Sequence, residues 1–339
     1  PRTSLKDDAE ATQPGGPLVI LITPEVAQAV LGAPAESLAV GAAGSEFEGS
    51  VGFSVGPSEA PARNVVAIVR GTDPALREQY VAIGAHNDHV GMASEPVEHD
   101  SLRAYLAVIQ PEGAEDEPRE PSAEEAQQIR AILDSLRAIR APRMDSIYNG
   151  ADDDASGTVT VLEIAEAFAA DPPKRSVLFV WHTGEEKGLW GSQYYTDHPT
   201  VPRDSIVAQI NMDMVGRGNA WDVTGGGPAY MQLIGSRRLS TELGDIVEEV
   251  NTDGNFGFTF DYTYDADGHP ANYYCRSDHY MYARYGIPIV FFTTGSHRDY
   301  HQLTDEAQYI NYNKMTRVGT LVHAIAEHVA NMDHRPVVD

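Results

Sequence analysis

Four runs of strand length, QYVAIG (79–84), SVLFVW (176–181), IVAQINM (206–212) and IPIVFFT (287–293), are apolar at almost every position. A strand without a polar face must be covered on both sides, the condition of a largely parallel sheet between helical layers. The intervening segments agree. Residues 158–170 (TVTVLEIAEAFAA) have helical periodicity, and residues 314–331 read as a closing amphipathic helix. The expected fold class is therefore α/β, with a mixed, largely parallel central sheet and helices on both faces. In such sheets reactive side chains collect at the carboxyl ends of the strands, so the residues that follow each run matter most.

The rest of the chain arranges itself around this frame. NVVAIVR (64–70) is a further apolar run, parted from 79–84 by a Gly/Asp/Pro turn, and the two read as neighbouring core strands. Upstream, PLVILIT (17–23) reads as a short buried strand and 24–31 as a short helix with Pro24 in its first turn, after a polar loose end through Gln13-Pro14-Gly15-Gly16. Residues 1–63 are thus expected as an N-terminal segment and 64–339 as the main domain. Over 93–144 the composition turns acidic and Pro-containing (EPVEHD, EGAEDEPREP), which marks a surface insertion. One amphipathic helix is expected inside it, over residues 122–138. Ser122 and Glu125 have capping-box spacing, and Ile129, Ile132, Leu133 and Leu136 recur at helical intervals.

Composition narrows the chemistry. With 24 Lys and Arg against 50 Asp and Glu, the 339 residues carry a formal charge of −26, which repels nucleic acid and anionic membrane surfaces. No window approaches the ~18 consecutive apolar residues of a membrane-spanning helix. Neither a nucleic-acid partner nor membrane insertion is expected. Cys275 is the single cysteine, so an internal disulfide framework and a Cys-rich zinc site are both excluded, and any metal must be held by His and carboxylates. Pro1 opens the chain without a charged-then-apolar pattern, so a trimmed form of a secreted or periplasmic protein is expected.

Each apolar run leads into chemistry-bearing residues. QYVAIG continues into Ala85-His86-Asn87-Asp88-His89, where Asp88 could orient His86 as a metal ligand, although a hydrogen-bonded loop histidine fits the segment equally well. Gly150-Ala151-Asp152-Asp153-Asp154-Ala155-Ser156-Gly157 precedes a helix. Asp154 or Ser156 could cap it, but capping needs one carboxylate, and a cation is the simpler way to hold three. SVLFVW ends in His182-Thr183-Gly184-Glu185-Glu186, a pair of acids at the end of a buried strand, where one could ligate metal while the other moves protons. IVAQINM leads to Asp213, and IPIVFFT leads through Arg298-Asp299-Tyr300 to His301. Five strand ends that each deliver a His or an acid to one sheet edge point to a metal centre. Ser277-Asp278-His279 reads as a helix entry capped by Ser277, since contiguous side chains cannot align as a catalytic triad.

In that order, HNDH, GADDDASG, TGEEKGLWGS, NMD and YHQLTD resemble the zinc aminopeptidase family with a co-catalytic metal pair, a group that also contains glutamate carboxypeptidases and glutaminyl cyclases. The resemblance runs from about Asn64 to the C-terminus, and it makes 1–63 a candidate remainder of a protease-associated-type domain. It implies two zinc ions per chain, with Asp153 bridging them, His86 and Asp213 on one, and Glu186 and His301 on the other. It further implies a cis Asp153–Asp154 peptide, Glu185 as general base, Asp88 and Asp154 in the outer shell, and Tyr274 as hydrogen-bond donor to the tetrahedral intermediate. Met214, Phe291, Phe292 and Tyr300 are candidates for an apolar substrate pocket, with core packing the competing role for the two phenylalanines.

The implied activity is release of N-terminal residues from peptides with a free amino terminus. A carboxypeptidase for acidic residues would need an arginine cluster, which the charge balance disfavours. A glutaminyl cyclase works with one zinc, whereas His86 and Asp213 are both present here. A non-catalytic receptor module on this fold would be expected to have lost ligands, and none is lost.

Overall fold

The computed structural model describes residues 22–45, 56 and 61–339. Contacts divide the chain into Pro1–Pro61 and Ala62–Asp339. In the first unit helix α1 (Pro24–Leu31) starts where the Thr23 hydroxyl accepts from the Val26 N–H, and stops at Gly32, whose φ of 79° lies in the left-handed region. Most of the strand expected at 17–23, and the loose end before it, fall outside the described residues.

The strands of the second unit are, in chain order, β1 (Val65–Val69), β2 (Tyr80–His86), β3 (Met92–Glu98), β4 (Met144–Ile147), β5 (Ser176–His182), β6 (Ile206–Met212), β7 (Tyr230–Ile234), β8 (Thr259–Asp261) and β9 (Ile289–Thr293). The main sheet has the order β1-β5-β2-β6-β9-β7-β8. Its centre, β5-β2-β6-β9, is parallel, and β1 and β7 pair antiparallel to it. These four central strands are the four apolar runs. β1 and β2 are not neighbours, because β5 lies between them. β2 is buried at every position and needs a strand on each side, whereas Val65 and Ile68 of β1 are exposed, as suits an edge.

The remaining helices are α2 (His99–Ile109), α3 (Ala123–Arg137), α4 (Gly157–Ala170), α5 (Trp190–Asp197), α6 (Thr241–Asp253), α7 (His279–Ala283) and α8 (Tyr312–Asn331). Alternate side chains of the strands supply two cores. Val81, Ile83, Val177 and Phe179 pack with Val161 and Phe168 of α4 and Leu321 and Ile325 of α8. Tyr80, Ala82, Leu178 and Val180 face the other way, onto Tyr195 of α5 and Tyr282 of α7. Burial of these apolar faces, at roughly 25 cal/mol per Å², is the main force holding helices to sheet.

The acidic insertion holds more structure than its single expected helix. α3 is there with both halves of the capping box formed between Ser122 and Glu125. In addition, β3 and β4 pair antiparallel at its base, and α2 is capped by the Glu98 carboxylate accepting from the Asp100 and Ser101 N–H groups. A glutamate in that place lies outside the usual Ser/Thr/Asp/Asn start signal.

Candidate metal centre

β5 and β6 flank β2, so the connections from the central strand diverge to opposite sides and leave a crevice at its carboxyl end. Register does the rest. Gly84 pairs with Asn211, which puts Asp213 level with His86, and His86 itself pairs with His182, three residues before Glu185. Glu185 and Glu186 follow on a turn that Gly184 enters at φ 70°, and His301 comes from the loop after β9 at φ 55°. Asp153 comes from the loop ahead of α4 and not from a strand end.

The three consecutive aspartates have three separate tasks. Asp152 accepts from the Gly216 N–H (2.6 Å) and lies 3.2 Å from His297 Nε2. Asp154 accepts backbone N–H groups of His86 (3.0 Å), Gly157 (3.0 Å) and Met214 (3.2 Å), tying β2, α4 and β6 together. A Cβ on residue 157 would meet the Asp154 carboxylate at 2.3 Å, so that close approach requires glycine. Asp153, joined to Asp154 by a cis peptide, is left free to face the crevice. The loop is held from outside by Asp305, whose carboxylate accepts from the N–H groups of Asp152 and Asp153.

Asp153 stands between two groups of ligand-type atoms. Its Oδ1 is 3.1 Å from His86 Nε2, which is 3.7 Å from Asp213 Oδ1. Its Oδ2 is 3.1 Å from His301 Nε2, which is 2.9 Å from Glu186 Oε2. Although so close, His86 Nε2, Asp153 Oδ2 and Glu186 Oε1 are buried and make no hydrogen bond. Buried polar atoms that converge without bonding to one another are arranged as ligands of a common ion. The nitrogen and carboxylate oxygen donors suit zinc.

The charges are strongly coupled. Burial disfavours a proton on His86, but Asp213 and Asp153 outweigh it and raise its pKa well above the ordinary value. For His301 burial is likewise outweighed by Asp153 and Glu186, and the pKa rises to about 9. Burial pushes the Glu185 carboxyl well up, with His86 pulling the other way. Asp213 is raised by burial, while Asp153 is lowered because its two imidazole neighbours, His301 and His86, overcome burial. The cluster thus carries excess negative charge that attracts cations.

Other expected residues are placed as follows. The Asp88 backbone carbonyl, at 3.1 Å, is nearer to His86 Nδ1 than its carboxylate, at 3.8 Å. The carboxylate instead accepts from the Glu185 N–H (3.1 Å) and so fixes the Glu185 backbone. Met214, Phe291 and Tyr300 line the cavity beside Asp153, Glu185 and His301. Phe292 does not: it is fully buried in the core, pointing away from its neighbour Phe291. Tyr274 also lies elsewhere, under the Arg238 guanidinium and edge-on to His279, while Tyr273 lines the cavity with its hydroxyl on Ser296 (2.7 Å) and Glu115 (2.8 Å). The two tyrosines share a 3₁₀ turn, where successive side chains point about 120° apart, and tandem Tyr-Tyr gives no hint which one faces in. Ser277 does not cap a helix with its side chain. Its hydroxyl donates to Asp213 Oδ2 (2.7 Å). His89 was visible in the motif HNDH without a task, and the structure puts it 2.7 Å from Glu186 Oε1.

Fold and cluster together define an α/β protein equipped to hold metal at the carboxyl edge of its sheet. The chain belongs to peptidase family M28, whose sequence profile matches residues 64–326. Leucine aminopeptidase 1 of Aspergillus fumigatus is 29% identical over 181 residues, which cover 49% of this chain and 43% of that protein. The zinc aminopeptidase BSAP from Bacillus subtilis superposes with a TM-score of 0.52 at 19% identity, covering 80% of this chain and 50% of that one. The glutaminyl cyclase of Porphyromonas gingivalis does so with a TM-score of 0.51 at 20% identity, covering 79% and 78%. The chain spans less than half of the curated relative's length, and its likeness to the two solved structures is one of fold.

Proposed function

We propose that this chain is a zinc-dependent aminopeptidase that holds two ions and releases N-terminal residues from peptides. The observation that carries the reading is the placement of Asp153, one carboxylate oxygen toward His86 and Asp213 and the other toward Glu186 and His301, with Glu185 lining the same cavity. Zinc bound there would supply Lewis acidity to a substrate carbonyl and acidify a water molecule.

The chain's own residues do the rest. Glu185, held through its backbone by Asp88, takes the proton of the attacking water and returns it to the leaving amine. Its buried carboxyl favours the protonated form more than a solvated one does, which suits a group that must both accept and release a proton. Tyr273, not Tyr274, lines the cavity, and its hydroxyl, which donates to Glu115 (2.8 Å), would turn from that carboxylate to donate to an oxyanion. The surplus of carboxylates around the ions suits the cationic amino terminus of a peptide.

Arg276 also lines the cavity, with its guanidinium 4.8 Å from the Tyr273 ring centroid and 3.3 Å from the Tyr300 hydroxyl. It supports a second reading, a carboxypeptidase that captures a carboxylate. One assay separates the two: hydrolysis of aminoacyl anilides, N-blocked peptides and peptides ending in glutamate, before and after chelation. Chelator-sensitive cleavage of the anilides alone is expected. A metal-loaded protein that cleaves no substrate with a free amino terminus would sink the aminopeptidase reading.

A further inference from the structure

We propose that His89 is a further protein ligand of the ion held by Asp153, Glu186 and His301. That position would then have four protein ligands, leaving the His86 position as the open one. The inference rests on the two-ion reading above.

His89 Nδ1 lies 2.7 Å from Glu186 Oε1 and 3.8 Å from Asp153 Oδ2, and its side chain is 9% exposed. Ligand-type atoms of His89, Asp153, Glu186 and His301 all fall within 4.8 Å of one another. Their nearest separations bracket the ~3.3 Å edge of a tetrahedron with metal bonds of ~2.0 Å. A histidine that only buttressed Glu186 would aim an N–H at the carboxylate. Instead both ring nitrogens of His89 are buried and make no hydrogen bond, although Oε1 is in reach.

The backbone is shaped to admit the ring. Gly150 has φ 57°, and a Cβ there would stand 2.7 Å from His89 Cγ. Any larger residue would displace the imidazole from the cluster.

The two positions then differ. Each position has two ligands on the cavity beside Glu185, Asp153 and Asp213 for one and Asp153 and His301 for the other, so the difference lies in the number of protein ligands. Asp154 approaches His86 and Asp213, but its oxygens are taken up by backbone N–H groups. The His86 position therefore keeps three protein ligands. Zinc with three protein ligands holds a place for water or substrate, and zinc with four is closed.

The test titrates the metal-free full chain with Zn²⁺ by calorimetry and with Co²⁺ by proton NMR, for the wild type, His89→Gln and His89→Ala. Gln can still donate to Glu186, and circular dichroism checks that both variants are folded. Expected are two ions in the wild type and a loss of ~10-fold or more in affinity for one ion in both variants. Hyperfine-shifted imidazole N–H signals should fall from three to two. Two such signals in the wild type, or unchanged affinity in His89→Gln, would overturn the assignment. A wild type that takes up a single ion defeats the two-ion reading instead, and His89 is still decided by whether its substitution removes a shifted signal.

Discussion

Adjacent residues of the same type have different tasks here, because burial and partners differ over a few ångströms. Glu185 and Glu186 leave one turn, yet Glu186 sits against His301 and His89 while Glu185 faces the cavity. Glu185→Gln keeps the shape and removes the proton acceptor. Turnover should fall by ~10²- to 10⁴-fold, with zinc content by elemental analysis unchanged. Loss of zinc would mean that the roles of Glu185 and Glu186 are exchanged. A second residue prediction concerns His279, stacked on Phe291 with ring centroids 4.6 Å apart. Burial pulls its pKa down to about 3, against ~6.5 in an unfolded chain. Between those values the unfolded state binds the proton and the native state does not, so stability is full above about pH 6.5 and is lost as pH falls toward 3. The slope from this one group is at most about 1.4 kcal/mol per pH unit. Urea unfolding from pH 7 to pH 4 should show a shallower fall for His279→Leu than for the wild type. Parallel curves would refute the assignment.

At the scale of elements, the insertion is tied to the loop that carries His301. Arg103 of α2 donates to both oxygens of Asp299 (3.2 Å), which also accepts from Arg217 (2.9 Å). Arg143 and His99 reach Glu306 from the same side, at 2.6 and 2.7 Å. Ala114 donates its N–H to the Ser296 carbonyl, and Glu115 accepts from Tyr273 at the cavity wall. The acidic insertion thus braces the wall of the cavity beside the cluster. Removing one charged hydrogen-bonding partner from a buried carboxylate costs roughly 1.5–3 kcal/mol. Arg103→Ala should therefore destabilise the chain by about that much, checked by denaturant unfolding. It should also raise amide exchange in the 296–305 loop, and unchanged exchange there would separate the insertion from the loop.

Across the whole molecule, buried acids converge on one sheet edge of a chain with a formal charge of −26, so native stability should depend on cations that bind only the folded form. At a hundredfold excess over Kd each ion contributes ~2.7 kcal/mol, and chelation should lower Tm by roughly 5 °C or more. An unchanged Tm would argue against ions in the cluster. Much of this was legible in the sequence, because covered strands are written as unbroken apolar runs. β2, β5, β6 and β9 could be read directly, as could the residues that follow β2, β5 and β6. The Ser122 capping box was legible too, since its partners are three residues apart. What the sequence could not determine is whatever depends on which strand lies beside which. β1 pairs with β5 instead of β2, Tyr273 and not Tyr274 faces the cavity, Ser277 reaches Asp213 from 64 residues away, and His89 meets Glu186. Local pattern records burial and periodicity, which a few neighbouring residues set. Long-range register and the side on which a turn releases a side chain are fixed only when the sheet assembles and the core closes around it.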